Sequence, residues 1–185
     1  MLRDCAAQVE ELLSILDAQL HALIQDLVSM PASIFFSPDN LDGQYISPRL
    51  FEQYLQASYT QSNEILSKAA KSLVVHVGGP MRQLVEPLAQ CGVDAVEGVS
   101  GHPQSDVEIP QARKLAGREI TLWGGIPQDW LLENTEYDDF EQGVRVIFNQ
   151  AAEDGNTIVG VADRVPAAAE LDRLKLLARW LAESS

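Results

Sequence analysis

The sequence predicts an α/β fold of parallel (β/α) barrel type, a partial TIM barrel of about five strand–helix units in one domain over residues 1–185. Three observations carry this prediction. Short apolar runs alternate with amphipathic stretches along the whole chain, the pattern of a sheet whose strands are joined by helices. The runs are continuously apolar rather than alternating, as in parallel strands covered on both faces. Glycine or proline breaks separate strand from helix in most units.

Each element has a local reason. Residues 4–28 read as a leading helix because Val9, Leu12, Leu13, Leu16, Leu20, Leu23, Ile24 and Leu27 recur at spacings of three and four, with Asp4 as N-cap and Pro31 beyond the end. Ser33–Ser37 reads as a buried strand that runs into the polar loop Pro38–Gly43. Ser47 and Pro48 open a second helix carrying Leu50, Phe51, Tyr54, Leu55, Ile65 and Leu66. Ser72–Val77 is the second strand, broken by Gly78-Gly79-Pro80, and a helix over 81–91 ends at Gly92. Val93–Glu97 is the third strand, and Asp106–Ala116 a helix stopped by Gly117. Glu119–Trp123 is the fourth strand, closed by Gly124-Gly125, and an acidic-started helix covers 138–153. Thr157–Val161 is the fifth strand, and Glu170–Ala182 the last helix, with Leu171, Leu174, Leu177 and Leu181 on one side.

Asp and Glu total 27 against 13 Lys and Arg, a net charge of −14. Such a surface repels phosphate backbones and anionic lipid, which argues against nucleic acid and membrane as partners. Cys5 and Cys91 make neither a disulfide framework nor a metal-spaced motif. No secretory signal pattern opens the sequence and no apolar run approaches the roughly 20 residues of a membrane span, so a cytoplasmic location is expected.

In parallel barrels the active site collects at the C-terminal strand ends. Those ends offer Asp39, Asn40 and Asp42, then His76, Glu97, Trp123, and Asp163-Arg164. His76 stands in an apolar strand beside two glycines and fits a metal ligand, a proton-transfer group, or a histidine hydrogen-bonded at the rim. The candidate catalytic residues are His76 and Asp163; His76 and Glu97 are the candidate metal pair; Asp39, Asn40, Trp123 and Arg164 are the candidate substrate contacts. The bland readings are a solvated Glu97, a local Asp163–Arg164 ion pair worth roughly 0–1 kcal/mol, and packing for Trp123 and Trp130. His21 and His102 read as surface residues, and both glycine doublets as turns, since neither has the spacing of a phosphate-binding loop.

The order of short motifs resembles one known family. Ile46-Ser47-Pro48-Arg49-Leu50-Phe51-Glu52 is followed by Val75-His76-Val77-Gly78-Gly79, Gly92–Glu97, Asp106, Ala112-Arg113, Leu122–Pro127 and Ile158–Pro166. From about Ser33 onward this is similar to the C-terminal half of the uroporphyrinogen decarboxylase superfamily, which also holds methyltransferases working with corrinoids or thiols. The resemblance implies an eight-stranded barrel of which this chain supplies the C-terminal part. If the chain is assembled into a full barrel, it also implies methyl transfer from a small substrate to a corrinoid or thiol acceptor, with zinc or another divalent ion as a candidate cofactor. Uroporphyrinogen decarboxylation is the alternative, and a non-catalytic fragment or barrel-completing subunit the third reading. The decarboxylase pattern has a histidine after the last strand where this chain reads Ala162-Asp163-Arg164, and the methyltransferase pattern has His-x-Cys where it reads His76-Val77-Gly78.

A five-stranded parallel sheet also has two open edges and an uncovered inner face. Soluble monomers seldom expose an apolar patch beyond about 300–600 Å². Besides a small-molecule substrate, the expected partners are therefore a second copy of the chain, or a chain supplying the missing part of the barrel.

Overall fold

The computed structural model describes residues 4–183. Helix α1 (Ala6–Leu27) leads into five strands alternating with helices: β1 (Ile34–Leu41), α2 (Pro48–Tyr54), α3 (Gln56–Lys68), β2 (Ser72–Val77), α4 (Arg82–Gln90), β3 (Ala95–Val99), α5 (Ile109–Ala116), β4 (Thr121–Ile126), α6 (Tyr137–Asp154), β5 (Thr157–Val161) and α7 (Leu171–Glu183). The strands form one sheet in the order β1-β2-β3-β4-β5, and every neighbouring pair is parallel. This is an α/β sheet of partial TIM-barrel type.

Two faces of the sheet do different things. Leu73, Val75, Val77, Val96 and Leu122 point outward and join a core with helix residues such as Leu66, Leu84, Leu88, Ala112, Phe140 and Val144. The other face carries Phe36, Val74, His76, Glu97 and Trp123, with His76, Glu97, Trp123 and Ile158 in one cross-strand row. That face is concave. Phe36 on β1 and Trp123 on β4 lie three strand spacings apart, about 14 Å in a flat sheet, yet their rings approach to 6.5 Å.

Local chemistry explains the helix ends. Ser47 accepts from the Leu50 N–H at 3.3 Å, with Pro48 at the first position of α2. Glu108 and Gln111 make a capping box for α5, and Gly155 closes α6 in the left-handed conformation. Asp106 was expected to start α5; it instead takes the Met81 and Arg82 N–H groups at 2.7 and 3.0 Å, holding the start of α4.

Several expectations are corrected. The helix from Ser47 is two helices, because the backbone breaks at Leu55. β1 is not a buried strand ending at Ser37: it continues to Leu41, and Ile34 and Phe36 are 62% and 48% exposed. It is an edge strand whose inward-facing Ile34 and Phe36 stay largely exposed, so apolar composition did not imply burial. β3 and β4 start and end later than the apolar runs suggested, and Gly124-Gly125 lies inside β4 rather than closing it. A Cβ at Gly124 would sit 2.2 Å from the Val99 carbonyl oxygen, so glycine there permits close strand approach. His21 is buried, its Nε2 3.2 Å from the Ser58 carbonyl oxygen, whereas His102 is exposed as expected.

Candidate functional site

The strand ends converge on His76. The ring lies on the concave face and is 8% exposed. Its Nδ1 hydrogen-bonds the Glu97 carboxylate, the residue directly across on β3. Its Nε2 lies 3.1 Å from the Asn40 side-chain oxygen and 3.6 Å from Asp163 Oδ1. The second Glu97 oxygen accepts from the Asp163 N–H at 3.2 Å. One imidazole thus ties together residues from the ends of β1, β2 and β3 and from the segment after β5.

This surrounding raises the His76 pKa. The Glu97 hydrogen bond is the largest cause, the charges of Glu97, Asp163 and Asp39 add to it, and burial opposes it. Oxygen acceptors face both ring nitrogens, and only the imidazolium can donate from both. The surroundings therefore favour the protonated ring, with the Glu97 hydrogen bond as the main cause.

Glycines and strained residues shape the surroundings. Among the described residues, three non-glycines have positive φ: Asn40 at 52°, Ala70 at 55° and Asp163 at 65°. Two of the three touch the imidazole, and such strain persists where surrounding structure over-determines it. The Gly78-Gly79 doublet also acquires a reason. A Cβ at Gly78 would lie 1.8 Å from the Asn40 side-chain oxygen, and one at Gly79 would lie 2.7 Å from the Asp42 carboxylate. The doublet is room for the β1 mouth residues. Gly98 is an extra residue in β3: Glu97 pairs with Trp123 and Val99 with Gly124. Such a bulge re-aims side chains beside it.

The other candidates divide. Asp39 accepts from Tyr59 and Ser37 hydroxyls, each at 2.6 Å, and reaches His76 through its charge. Burial, then the Asp39 charge, pushes the Tyr59 phenol far up. Trp123 stands in the row beside Glu97 and over Gly160. Arg164 is exposed and takes no part in this network; Asp163 pairs with the His76 ring instead. Phe36, whose ring centroid is 6.3 Å from that of His76, and Tyr59 are site residues that sequence reasoning missed. For Phe36 the available signal was strand period: it pairs with Val74, two residues before His76 on the same face.

The donor set does not suit a zinc thiolate centre. Cys91 is buried with its sulfur 3.6 Å from the Gln56 carbonyl oxygen, and Cys5 lies at the start of α1. His76 and Glu97 meet as a hydrogen-bonded pair, and among the described residues no group of three or more His, Cys, Asp or Glu is arranged to hold a metal ion.

Fold and site together define a partial parallel barrel with an imidazole and carboxylates gathered at its strand ends. The chain belongs to the uroporphyrinogen decarboxylase (URO-D) family, which matches residues 1–183. A methyltransferase from Methanosarcina mazei has a similar structure, with a TM-score of 0.61 at 18% sequence identity over 84% of this chain and 43% of that one. At that identity the likeness is one of fold. The chain spans less than half of the methyltransferase it matches. No curated protein sequence matches it. Among the described residues, no helix is long and apolar enough to cross a membrane.

Proposed function

We propose that this chain carries the acid–base centre of a URO-D-family enzyme that transfers a methyl group from a small molecule to a thiol acceptor, with His76 as general acid. The single observation behind this reading is the imidazole at the strand ends with acceptor oxygens at both ring nitrogens. The heteroatom that bears the methyl group takes the place of the Asn40 oxygen opposite Nε2. The acceptor thiolate attacks the methyl carbon and the carbon–heteroatom bond breaks. Its electron pair stays on the heteroatom, which takes the Nε2 proton. The proton lost by the thiol returns to the imidazole through solvent. Glu97 keeps the other ring N–H and so fixes the ring's orientation. Phe36 and Trp123 present an apolar wall on the same face. A corrinoid acceptor would replace the thiol as methyl recipient; no residue is assigned to it.

Uroporphyrinogen decarboxylation is the second reading, supported by the family match. The same imidazolium would protonate the carbon that loses its carboxylate. A polycarboxylate substrate would, however, meet Asp39, Glu97 and Asp163 at the site.

The test incubates the purified chain with ¹³C-methyl-labelled methanol, methylamine or dimethyl sulfide and 2-mercaptoethanol, and follows the S-methyl product by NMR. The expected result is product formation that His76→Gln abolishes. Carbon dioxide release from uroporphyrinogen without methyl transfer, or neither reaction, overturns the proposal.

A further inference from the structure

The segment that carries Asp163 bends tightly just beyond β5. The Arg164 N–H donates to the Ala162 carbonyl oxygen at 2.9 Å, and Asp163 between them has φ +65°. A hydrogen bond across two residues with a positive φ between them is the rarer, strained form of γ-turn. Such backbone persists where the surrounding structure holds it. The turn aims the carboxylate, with Asp163 Oδ1 3.6 Å from His76 Nε2. Ala162, at the base of the turn, is fully buried, and its N–H donates to the Ile126 carbonyl oxygen at 2.9 Å. The Asp163 N–H donates to Glu97 at 3.2 Å. A further tie comes from outside the site. Gln104, in the loop between β3 and α5, donates from Nε2 to the Ala162 carbonyl oxygen at 3.4 Å, 58 positions along the chain. Its Oε1 accepts from the Gln128 N–H at 3.2 Å, just past β4. The two partners fix the orientation of the amide, because a carbonyl needs a donor and an N–H needs an acceptor. One side chain thus links the segments that follow β3, β4 and β5.

We infer that Gln104 is a positioning residue: its donation to the Ala162 carbonyl holds the strained turn that keeps the Asp163 carboxylate beside the His76 ring. Its value to catalysis rests on the acid–base reading above, whereas the positioning stands on geometry alone. The Ala162 oxygen takes two donors, the Arg164 N–H that closes the turn and the Gln104 amide that anchors it from a separate loop. Without the second donor, Asp163 relaxes toward the negative φ that non-glycine residues favour. Its carboxylate then swings away from Nε2, and its N–H leaves Glu97. The two ends of the amide do separate jobs. The Nε2 end acts on the turn, and the Oε1 end acts on Gln128.

The test separates those jobs with two variants of the full chain. Gln104→Glu keeps an acceptor for the Gln128 N–H and cannot donate to Ala162; Gln104→Met keeps the bulk and loses both bonds. Amide hydrogen exchange, read residue by residue by NMR, follows Asp163, Gln128 and Gly101. The Gly101 N–H donates to the Val107 carbonyl at 3.0 Å within the Gln104 loop and reports on that loop alone. Asp163 exchange should quicken by about tenfold or more in both variants, as one hydrogen bond ceases to oppose the strain. Gln128 should quicken in Gln104→Met only, and Gly101 in neither. The His76 ring nitrogens should shift in Gln104→Met, and the same substitution should shift them no further once Asp163→Asn is present, because the effect passes through that carboxylate. Unchanged Asp163 exchange overturns the inference. So does equal quickening at Gly101, which makes Gln104 a loop staple, or a His76 shift that persists beside Asp163→Asn. None of these readings needs a substrate. A chain that shows them and transfers no methyl group keeps the positioning and loses the proposed reaction; methyl transfer with Asp163 exchange unchanged does the reverse.

Discussion

Gly98→Ala is the perturbation that most directly tests how the site is built. Gly98 has φ +108° and is the extra residue that turns Glu97 toward His76. A Cβ there would stand 2.0 Å from the Val77 carbonyl oxygen and 3.1 Å from its carbon. Both are backbone atoms of β2, so no side chain can swing aside. Holding an alanine at this φ costs about 1–3 kcal/mol. Separating the two strands to admit the methyl group costs about 1–3 kcal/mol more. The expected loss is about 4 kcal/mol, or roughly 8–16 °C in Tm for a chain of this size. Gly155→Ala is the control: its φ is +71° in the left-handed region and nothing lies within 4 Å of the added Cβ, so it should cost about 1 kcal/mol. Urea unfolding of both variants gives the comparison. Gly98→Ala should also lower the His76 pKa, read by NMR, because displacing β3 pulls Glu97 from the ring. A Gly98→Ala loss within about 1 kcal/mol of the control, with His76 titrating as in the parent protein, would refute the close-approach argument.

Glu97→Gln should move the His76 titration down toward the ordinary histidine value, since Glu97 is the main cause of the raised pKa. Because the folded value is raised, the stability from this pair is complete below the unfolded value of 6.5 and lost as pH rises through the folded one. Urea unfolding across that range should show the decline in the parent and not in the variant; equal slopes count against the assignment. Arg113→Lys should cost about 2–4 kcal/mol. Arg113 grips both Asp154 oxygens at 2.6 and 2.8 Å and donates to the carbonyls of Gly117, Ile120 and Asn156. The same fork holds the Asp154 carboxyl below the usual carboxylate range, so its contribution is present above the unfolded carboxylate value and lost as pH falls through the depressed one. A change under about 0.5 kcal/mol at neutral pH would show that Arg113 does not clamp α5, β4 and β5 together.

Local periodicity was enough for the alternation of strand and helix and for the bounds of β2 and β5. It was enough because apolar spacing and turn residues act over a few neighbouring positions. His76 was legible for the same reason: an imidazole in an otherwise apolar strand is a local anomaly. Its partners were not. Asn40, Glu97 and Asp163 lie 36, 21 and 87 positions away in the chain, and only strand pairing brings them to one ring. The glycines at 78 and 98 read as generic breaks until the neighbouring strands showed which atoms a methyl group would strike. Tertiary structure likewise decided that β1, as apolar as β2 in its first residues, stays exposed while β2 is buried. Composition records a segment's affinity for apolar surroundings, whereas burial depends on whether another layer of the protein arrives to cover it.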